Sequence, residues 1–356
     1  MHIKVGLVGL PNVGKSSFFN ALTNSFVQSE NYPFCTINPN ISRFIIPDTR
    51  IDNLVEVDKP KNIVNPTIEI YDIAGLVKGA SNGEGLGNLF LSHIREVDLI
   101  IHVVRFFKNL NIIHVENRID PIKDIEIINL ELALKDIEQI DKKIQKNTKS
   151  KGNENSSELK LLNKIKSRLE HLEYLNIQNC TDENEIRIIK ELQLLTSKPV
   201  IYVGNIDENT DESIKTKFIN DIKAANEDII FIPIKLGSDL NEIPSNEKNE
   251  FAEEIDKWTD SLRELTKKIH QKLNVITFYT SGADEVRGWQ IYKGTLAPKA
   301  SAEIHSDFEK HFIKVDVCKF EDYYNKKKSG KTPEFTTYGK DYKVNDGDIV
   351  NFKVGV

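Results

Sequence analysis

The residues best suited to chemistry lie near the start of the chain, in the stretch GLPNVGKSS. Gly9, Gly14, Lys15 and Ser16 fit the spacing G-x-x-x-x-G-K-[ST]. Glycines at these positions let backbone N–H groups converge on phosphate oxygens, and the N-terminus of a following helix adds partial positive charge. Lys15 is expected to reach the β- and γ-phosphates, and Ser16 to give its hydroxyl to Mg²⁺. The stretch therefore predicts a site for the phosphates of a nucleotide.

Further candidate ligands follow in TIEIYDIAG and in the segment that precedes it. Asp72 closes an apolar strand, where its carboxylate can hold Mg²⁺ through water, and the N–H of Gly75 can meet the γ-phosphate. Thr36, in NYPFCTINPN, offers a second hydroxyl for Mg²⁺. The glycine-rich segment GLVKGASNGEGLGN begins at Gly75, which suits a loop that switches with the nucleotide state.

The nucleotide base is predicted to meet the stretch YVGNIDENT, where an apolar strand ends at Asn205. Switch GTPases carry Asn-Lys-x-Asp here, and the Asp accepts two hydrogen bonds from guanine. In this chain Ile206 replaces the Lys, and Glu208 replaces the Asp with one more methylene. Since discrimination depends on matched buried polar groups, the site is predicted to favour ATP. A second alignment, in which Asp207 reads guanine, stays open.

The residue that positions the attacking water is not evident. Switch GTPases place a Gln directly after D-x-x-G, whereas this chain has Leu76, which cannot orient water. Asn12 is a candidate to hold a monovalent cation such as K⁺ beside the phosphates, or is a tolerated loop residue. His114, in NLNIIHVEN, is a candidate acid or base, or an ordinary loop or partly buried histidine.

These residues need a sheet to position them, and apolar strands are predicted at 3–8, 41–47, 67–72, 98–104, 199–203 and 229–233. Helical patterns alternate with them, which indicates an α/β fold with a mainly parallel sheet and helices on both faces. Between the fourth and fifth strands, leucine and isoleucine recur at spacings of three and four, which predicts an inserted helical hairpin that packs on itself. Its stripe residues are Leu130, Leu134, Ile137, Ile140, Ile144, Leu162, Ile165, Leu169 and Leu172.

The composition describes an ordinary globular chain. Its 356 residues are 39% hydrophobic and 29% charged, with a net charge of -6, which argues against a generally basic nucleic-acid-coating protein. Three widely spaced cysteines fit reduced thiols, and neither a basic leader nor a membrane-spanning stretch is evident. The expected location is the cytoplasm, with no membrane partner, and the expected oligomeric state is a monomer.

Taken together, GLPNVGKSS, DIAGLVKGASNGEGLGN, NIIHVE, NIDE and KGTLAPKASAEIHSDFEKHFIKV resemble the YchF-type Obg-like ATPases, in the Obg group of translation-factor-like P-loop proteins. The resemblance covers essentially the whole chain. It implies a nucleotide-binding G domain at 1–122 and 197–273, a helical insertion at 123–196, and a C-terminal α+β TGS domain of ubiquitin-like (β-grasp) type at 274–356. It also implies ATP hydrolysis, ribosome association, and a role in translation or stress control.

The resemblance assigns roles residue by residue. Phosphate binding falls to Asn12, Val13, Gly14, Lys15, Ser16 and Ser17. Ser16 and Thr36 would bind Mg²⁺, while Asn205 and the backbone of Ile206 would meet adenine. Leu76 matches the group's hydrophobic replacement for Gln, and His114 matches a histidine implicated in turnover. The chain departs from the family at 233–237, where Lys235, Leu236 and Gly237 form an apparently shortened base loop.

Two other functions remain compatible with the sequence. One is a conventional switch GTPase, since only the NIDE stretch separates the two nucleotides. The other is a largely non-catalytic scaffold that binds ribosomes or RNA and is braced by nucleotide, because a chain with Leu76 in place of Gln can turn over very slowly.

Overall fold

The computed structural model of the chain describes residues 1–24, 40–73, 95–108, 119–151, 157–173, 175, 180–224, 228–244 and 246–355. The described strands are β1 (Ile3–Val8), β2 (Ile41–Ile45), β3 (Asn62–Val64), β4 (Thr67–Asp72), β5 (Leu99–Arg105), β6 (Val200–Asn205), β7 (Asp228–Ile232), β8 (Val275–Ser281), β9 (Glu285–Tyr292), β10 (Phe312–Lys319), β11 (Thr336–Tyr338) and β12 (Asp348–Val354). The α-helices are α1 (Lys15–Asn24), α2 (Thr49–Asp58), α3 (Pro121–Lys151), α4 (Ser157–Glu170), α5 (Glu183–Glu191), α6 (Glu212–Ala224), α7 (Ile234–Glu242), α8 (Ala252–Leu273), α9 (Ala297–Ser301) and α10 (Phe320–Lys328). No described helix is long and apolar enough to cross a bilayer.

The nucleotide motifs belong to a six-stranded sheet of order β2-β4-β1-β5-β6-β7. β1 pairs with β5, β5 with β6, and β6 with β7, all in parallel. Every residue of β5 and β6 is buried, as expected for central strands covered on both faces. The predicted α/β fold and all six predicted strands are thereby confirmed, within one or two residues at their ends.

A second six-stranded sheet, of order β11-β10-β12-β8-β9-β3, is mixed. β8 and β9 are antiparallel, as are β10 and β12, whereas β12 runs parallel to β8 and β3 parallel to β9. The C-terminal α+β module predicted from sequence is therefore present. Its assignment as a TGS domain stays a prediction.

Two compact units divide the chain. Unit A comprises residues 4–42 and 70–258, and unit B comprises residues 1–3, 43–69 and 259–356. Within unit B, Ile51 and Leu54 of α2 pack against Tyr279 and Phe320. The predicted domains group 43–69 and 259–273 with the nucleotide motifs, whereas the compact units group these residues with the C-terminal part of the chain. The division into three domains stays a prediction.

The predicted helical hairpin is present in unit A, but part of its stripe was wrongly assigned. Ile140 packs with Leu162, Ile165 and Leu169, so α3 and α4 share a core. In contrast, Leu130 and Leu134 are 46% and 45% exposed. Leu172, 49% exposed, lies beyond the end of α4 with a φ of 56°. Heptad spacing identifies one face of a helix but not how far along it the partner helix reaches.

Candidate functional site

The phosphate loop occupies the turn between β1 and α1. Asn12 and Gly14 both have positive φ, 63° and 96°, and α1 begins at the next residue, Lys15. A Cβ at Gly14 would lie 2.3 Å from Nδ2 of Asn205, and a Cβ at Gly9 would lie 2.6 Å from the carbonyl oxygen of Val103. Glycine is required at these two positions because neighbouring atoms fill the space of a side chain.

Lys15, Ser16 and Asp72 meet beside this loop. The Lys15 ammonium forms an ion pair with Oδ1 of Asp72, and the Ser16 hydroxyl donates to Oδ2 at 3.1 Å. Lys15 is 8% exposed. These two contacts bring together three groups that were predicted from two separate motifs: Lys15 and Ser16 after β1, and Asp72 at the end of β4. Such a cluster can offer a cation to phosphate oxygens and hard oxygen ligands to Mg²⁺.

Asn205 lies at the end of β6 and contacts the phosphate loop directly. Its side-chain amide donates to the carbonyl oxygen of Val13 at 3.0 Å, and the residue is buried. The N–H of Ile206 donates to the carbonyl oxygen of Ile232 at 3.2 Å, which extends the pairing of β6 with β7. Asn205 therefore stabilises the phosphate loop. Because the N–H of Ile206 is engaged in the sheet, the backbone group of Ile206 that remains to contact a nucleotide base is its carbonyl.

The two acidic residues of NIDE differ in their surroundings. Oδ1 of Asp207 accepts hydrogen bonds from the N–H of Asn209 at 3.1 Å and from the hydroxyl of Thr210 at 2.9 Å, which closes a local turn. Glu208 is exposed. Reading guanine through Asp207 requires this turn to open, because one carboxylate oxygen is already engaged.

The segment predicted as a shortened base loop is helical. β7 ends at Ile232, Pro233 alone follows, and α7 begins at Ile234. The N–H of Leu236 donates to the Pro233 carbonyl at 3.0 Å, and a Cβ at Gly237 would lie 2.4 Å from the Trp258 ring. Gly237 therefore serves the packing of α7, and the first turn of this helix stands in place of a loop.

Arg105 is a site residue that sequence reasoning missed. It ends β5, is 3% exposed, and its Nη1 donates to the Asn12 carbonyl at 3.5 Å. Its Nε donates to the Phe107 carbonyl at 3.2 Å, and its guanidinium carbon lies 4.3 Å from the centre of the Phe107 ring. Burial lowers the pKa of Arg105, while Asp124 and Asp207 oppose that shift. The available signal was its position, because parallel strands end at one edge of a sheet.

Four predicted site residues, Thr36, Gly75, Leu76 and His114, lie outside the described residues. Val13 and Ser17 lie in or next to the phosphate loop as expected, at the end of the turn and in the first turn of α1. The roles assigned to all of these residues stay predictions.

Comparison with known proteins gives similarity along the whole chain. A family model described as a 50S ribosome-binding GTPase matches residues 4–164, and the model YchF-GTPase_C, described as a protein of unknown function, matches residues 275–355. Proteins named ribosome-binding ATPase YchF from Bacillus subtilis (strain 168) and Escherichia coli O157:H7 are 42% and 41% identical, over 100% of both chains in each case. The solved structure of the Schizosaccharomyces pombe YchF GTPase gives a TM-score of 0.79 at 38% identity, covering 99% of this chain and 97% of that one.

Proposed function

Because the chain belongs to the YchF family of P-loop NTPases, we propose that it binds ATP, hydrolyses it slowly, and associates with the ribosome to modulate translation or a stress response. The observation that carries the ATPase proposal is the convergence of Lys15 and Ser16 on Asp72 beside the phosphate loop. The names of the relatives support the ribosome as partner, with ribosomal RNA as a candidate contact. The proposed location is the cytoplasm and the proposed state a monomer.

Mg²⁺ is the proposed cofactor, and the donor set fits it. The Ser16 hydroxyl and the Asp72 carboxylate are hard oxygen ligands that lie 3.1 Å apart. Bound there, Mg²⁺ would neutralise charge on the β- and γ-phosphates. Ser16 would serve as a direct ligand and Asp72 would act through water, with Thr36 as a further proposed ligand. Lys15 would then exchange its ion pair with Asp72 for phosphate oxygens. K⁺ beside Asn12 is a further proposal.

ATP is the proposed nucleotide because neither carboxylate of the NIDE stretch is arranged to read guanine. A guanine reader needs a free acceptor pair aimed at the base edge, whereas Asp207 binds its own turn and Glu208 is exposed. Apolar contacts of the base with Ile206 and with the first turn of α7 would be alike for adenine and guanine. Some GTP hydrolysis is therefore expected. His114 and Leu76 remain proposed contributors to turnover, with Lys15.

A titration of ATP and GTP with Mg²⁺ tests the proposal. Wild-type protein is compared with Lys15→Ala, and with Lys299→Ala as a control for the loss of an exposed lysine in unit B. We expect ATP to bind more tightly than GTP, Lys15→Ala to lose most of both affinities, and Lys299→Ala to match wild type. A preference for GTP overturns the ATPase proposal in favour of a switch GTPase, and unchanged affinity in a folded Lys15→Ala sample overturns the site.

Single-turnover hydrolysis with and without ribosomes and K⁺ tests the catalytic part. Slow turnover that ribosomes accelerate fits the proposal. No turnover under any of these conditions would leave a nucleotide-braced scaffold as the function.

A further inference from the structure

Unit B contains a cavity of about 620 Å³ that none of the nucleotide motifs lines. It lies between the start of α2, the second half of α8 and the beginning of β8. Sites for small molecules in proteins commonly occupy about 300–1,000 Å³, so this cavity has room for a ligand of that class.

The charged residues of the cavity leave an excess of positive charge. Four cations, Arg50, Arg263, Lys267 and Lys293, line it together with two carboxylates, which gives a net charge of 4 - 2 = +2. Both carboxylates are already bound to Arg50, Asp48 at 3.0 Å and Asp346 at 2.7 Å. Arg50 with its two carboxylates has a net charge of 1 - 2 = -1, so the +3 of Arg263, Lys267 and Lys293 accounts for the excess of +2.

These three cations have unused donors. Lys267 and Lys293 are exposed, and neither ammonium has a hydrogen bond or ion pair among the residues that the structure describes. The Nη1 of Arg263 bonds to Asp260 at 2.9 Å, whereas its Nε is buried without a partner in the described chain. A buried N–H without an acceptor is unfavourable, so an anion that supplies an oxygen here would be stabilised.

An apolar part of the lining adjoins these cations. Pro47 lies before α2, and Val275 and Ile276 begin β8 with 5% and 8% of their surfaces exposed. A phosphate monoester carries about -1.5 to -2 charges near neutral pH, which matches the two ammonium groups of Lys267 and Lys293 that are unpaired among the described residues. We propose that this cavity binds a small organic phosphate monoester, with its phosphate on Arg263, Lys267 and Lys293 and its carbon portion against Pro47, Val275 and Ile276.

Phenyl phosphate is a suitable probe, provided that the phosphate loop is disabled. Full-length Lys15→Ala protein is titrated with it by calorimetry, and benzenesulfonate serves as the singly charged analogue. In that background, Lys267→Gln with Lys293→Gln removes the two exposed cations of the cavity. Lys299→Gln with Lys310→Gln removes two exposed lysines of unit B that do not line it.

We expect saturable binding of phenyl phosphate in the Lys15→Ala background, and weaker binding of benzenesulfonate. The cavity pair of substitutions should weaken binding about tenfold, and the control pair should leave it unchanged. Thermal unfolding confirms that each variant is folded.

Three results overturn the proposal. The first is that phenyl phosphate binds saturably to wild type but not in the Lys15→Ala background. The second is that the two double variants bind phenyl phosphate with equal affinity. The third is that the protein binds a short RNA oligonucleotide but not phenyl phosphate. None of them bears on ATP hydrolysis, because that activity depends on Lys15 and is measured separately.

Discussion

At the end of β6, one amide group connects two motifs that lie 192 residues apart in sequence: the side chain of Asn205 donates to the Val13 carbonyl. The sequence identified both residues as part of a nucleotide site. It did not identify this contact, because an Asn after a strand is equally suited to a base, a turn or a neighbouring carbonyl. Arg105 was missed for a related reason, since a basic residue that ends an apolar strand carries no motif of its own.

Substitution of Gly14 by Ala tests the close approach of the phosphate loop to β6. The new Cβ would meet Nδ2 of Asn205 at 2.3 Å, on a backbone whose φ is 96°. We expect ATP binding to be lost and the free energy of unfolding to fall by more than about 1 kcal/mol. Gly282→Ala is the control, because a Cβ there meets nothing within 4 Å, and its stability should change by less than about 0.5 kcal/mol. Full ATP affinity in Gly14→Ala contradicts this account of the loop.

Substitution of Asn205 by Ala tests the brace itself. The buried Val13 carbonyl loses its donor, which should cost about 1–3 kcal/mol of stability and weaken ATP binding. Asn241→Ala removes a similar but longer bond, 3.3 Å to the Ala21 carbonyl, outside the phosphate loop. It should leave ATP affinity unchanged. Chemical denaturation and an ATP titration of both variants decide the matter, and equal ATP affinities would count against a bracing role.

At the scale of elements, β5 contains a buried histidine that the nucleotide site does not use. His102 is 2% exposed, and its Nε2 has no hydrogen-bond partner among the described residues. Burial lowers the pKa of His102 to about 3, from an ordinary value of 6.5. Between these two pH values the unfolded chain binds a proton that the folded chain does not. The contribution of His102 to stability is therefore complete above pH 6.5 and is lost as the pH falls toward 3.

His102→Phe should remove this pH dependence. In the wild type the free energy of unfolding falls as the pH is lowered. We expect the substitution to reduce this fall by about 1.4 kcal/mol per pH unit between pH 6 and 4. Denaturation at several pH values measures the slope. An unchanged slope in His102→Phe would mean that this imidazole is protonated in the folded chain.

Helix α3 is fixed to the short helical turn at Leu195–Ser197 through one fully buried carboxylate. Asp136 accepts hydrogen bonds from the N–H groups of Leu195 at 3.0 Å and Thr196 at 2.9 Å, and from the Thr196 hydroxyl at 2.8 Å. Asp136→Ala leaves these buried donors without an acceptor, so we expect a loss of about 3–5 kcal/mol in denaturation experiments. Asp136→Asn should lose less, and Asp141→Ala, at a partly exposed ion pair, about 1 kcal/mol or less. Similar losses in all three would contradict the assignment.

Element types followed from the sequence more reliably than the extent of their contacts. Periodicity located the strands of the parallel sheet and both hairpin helices, since apolar spacing reports one buried face. It could not show that Leu130 and Leu134 lie on a part of α3 where their side chains stay nearly half exposed. It also missed α7, because Gly237 reads as a loop residue until Trp258 is seen against it.

At the scale of the whole molecule, the membership of residues 43–69 in unit B was not predictable from local pattern. β3 pairs with β9 through Asn62 and Glu285, so the two partners are separated by more than half of the chain. The Asp58 carboxylate at the end of α2 is bound by Tyr323 at 2.8 Å and Lys327 at 2.7 Å, which joins α2 to α10. Contacts at such separations leave no periodic signal in the sequence.

Asp58→Ala should loosen unit B. Its side chain is 1% exposed, and removal leaves the Tyr323 hydroxyl and the Lys327 ammonium without their acceptor. We expect a loss of about 3 kcal/mol, seen as faster amide hydrogen exchange in residues 275–355 with unchanged protection in α3 and α4. Glu56→Ala, at an exposed carboxylate of the same helix, should change exchange little. Uniform loss of protection across both units would contradict this localisation.

During synthesis, residues 43–69 leave the exit tunnel long before the strands that they contact. The second sheet is complete only when β12, Asp348–Val354, has been made. At about 5–20 residues per second, the roughly 280 intervening residues take on the order of 14–56 s to translate. Throughout that delay Ile51 and Leu54, 1% and 0% exposed in the finished protein, have no Tyr279 or Phe320 to cover them. A pause in elongation late in the message would therefore lengthen the time for which these two apolar side chains lack their native cover.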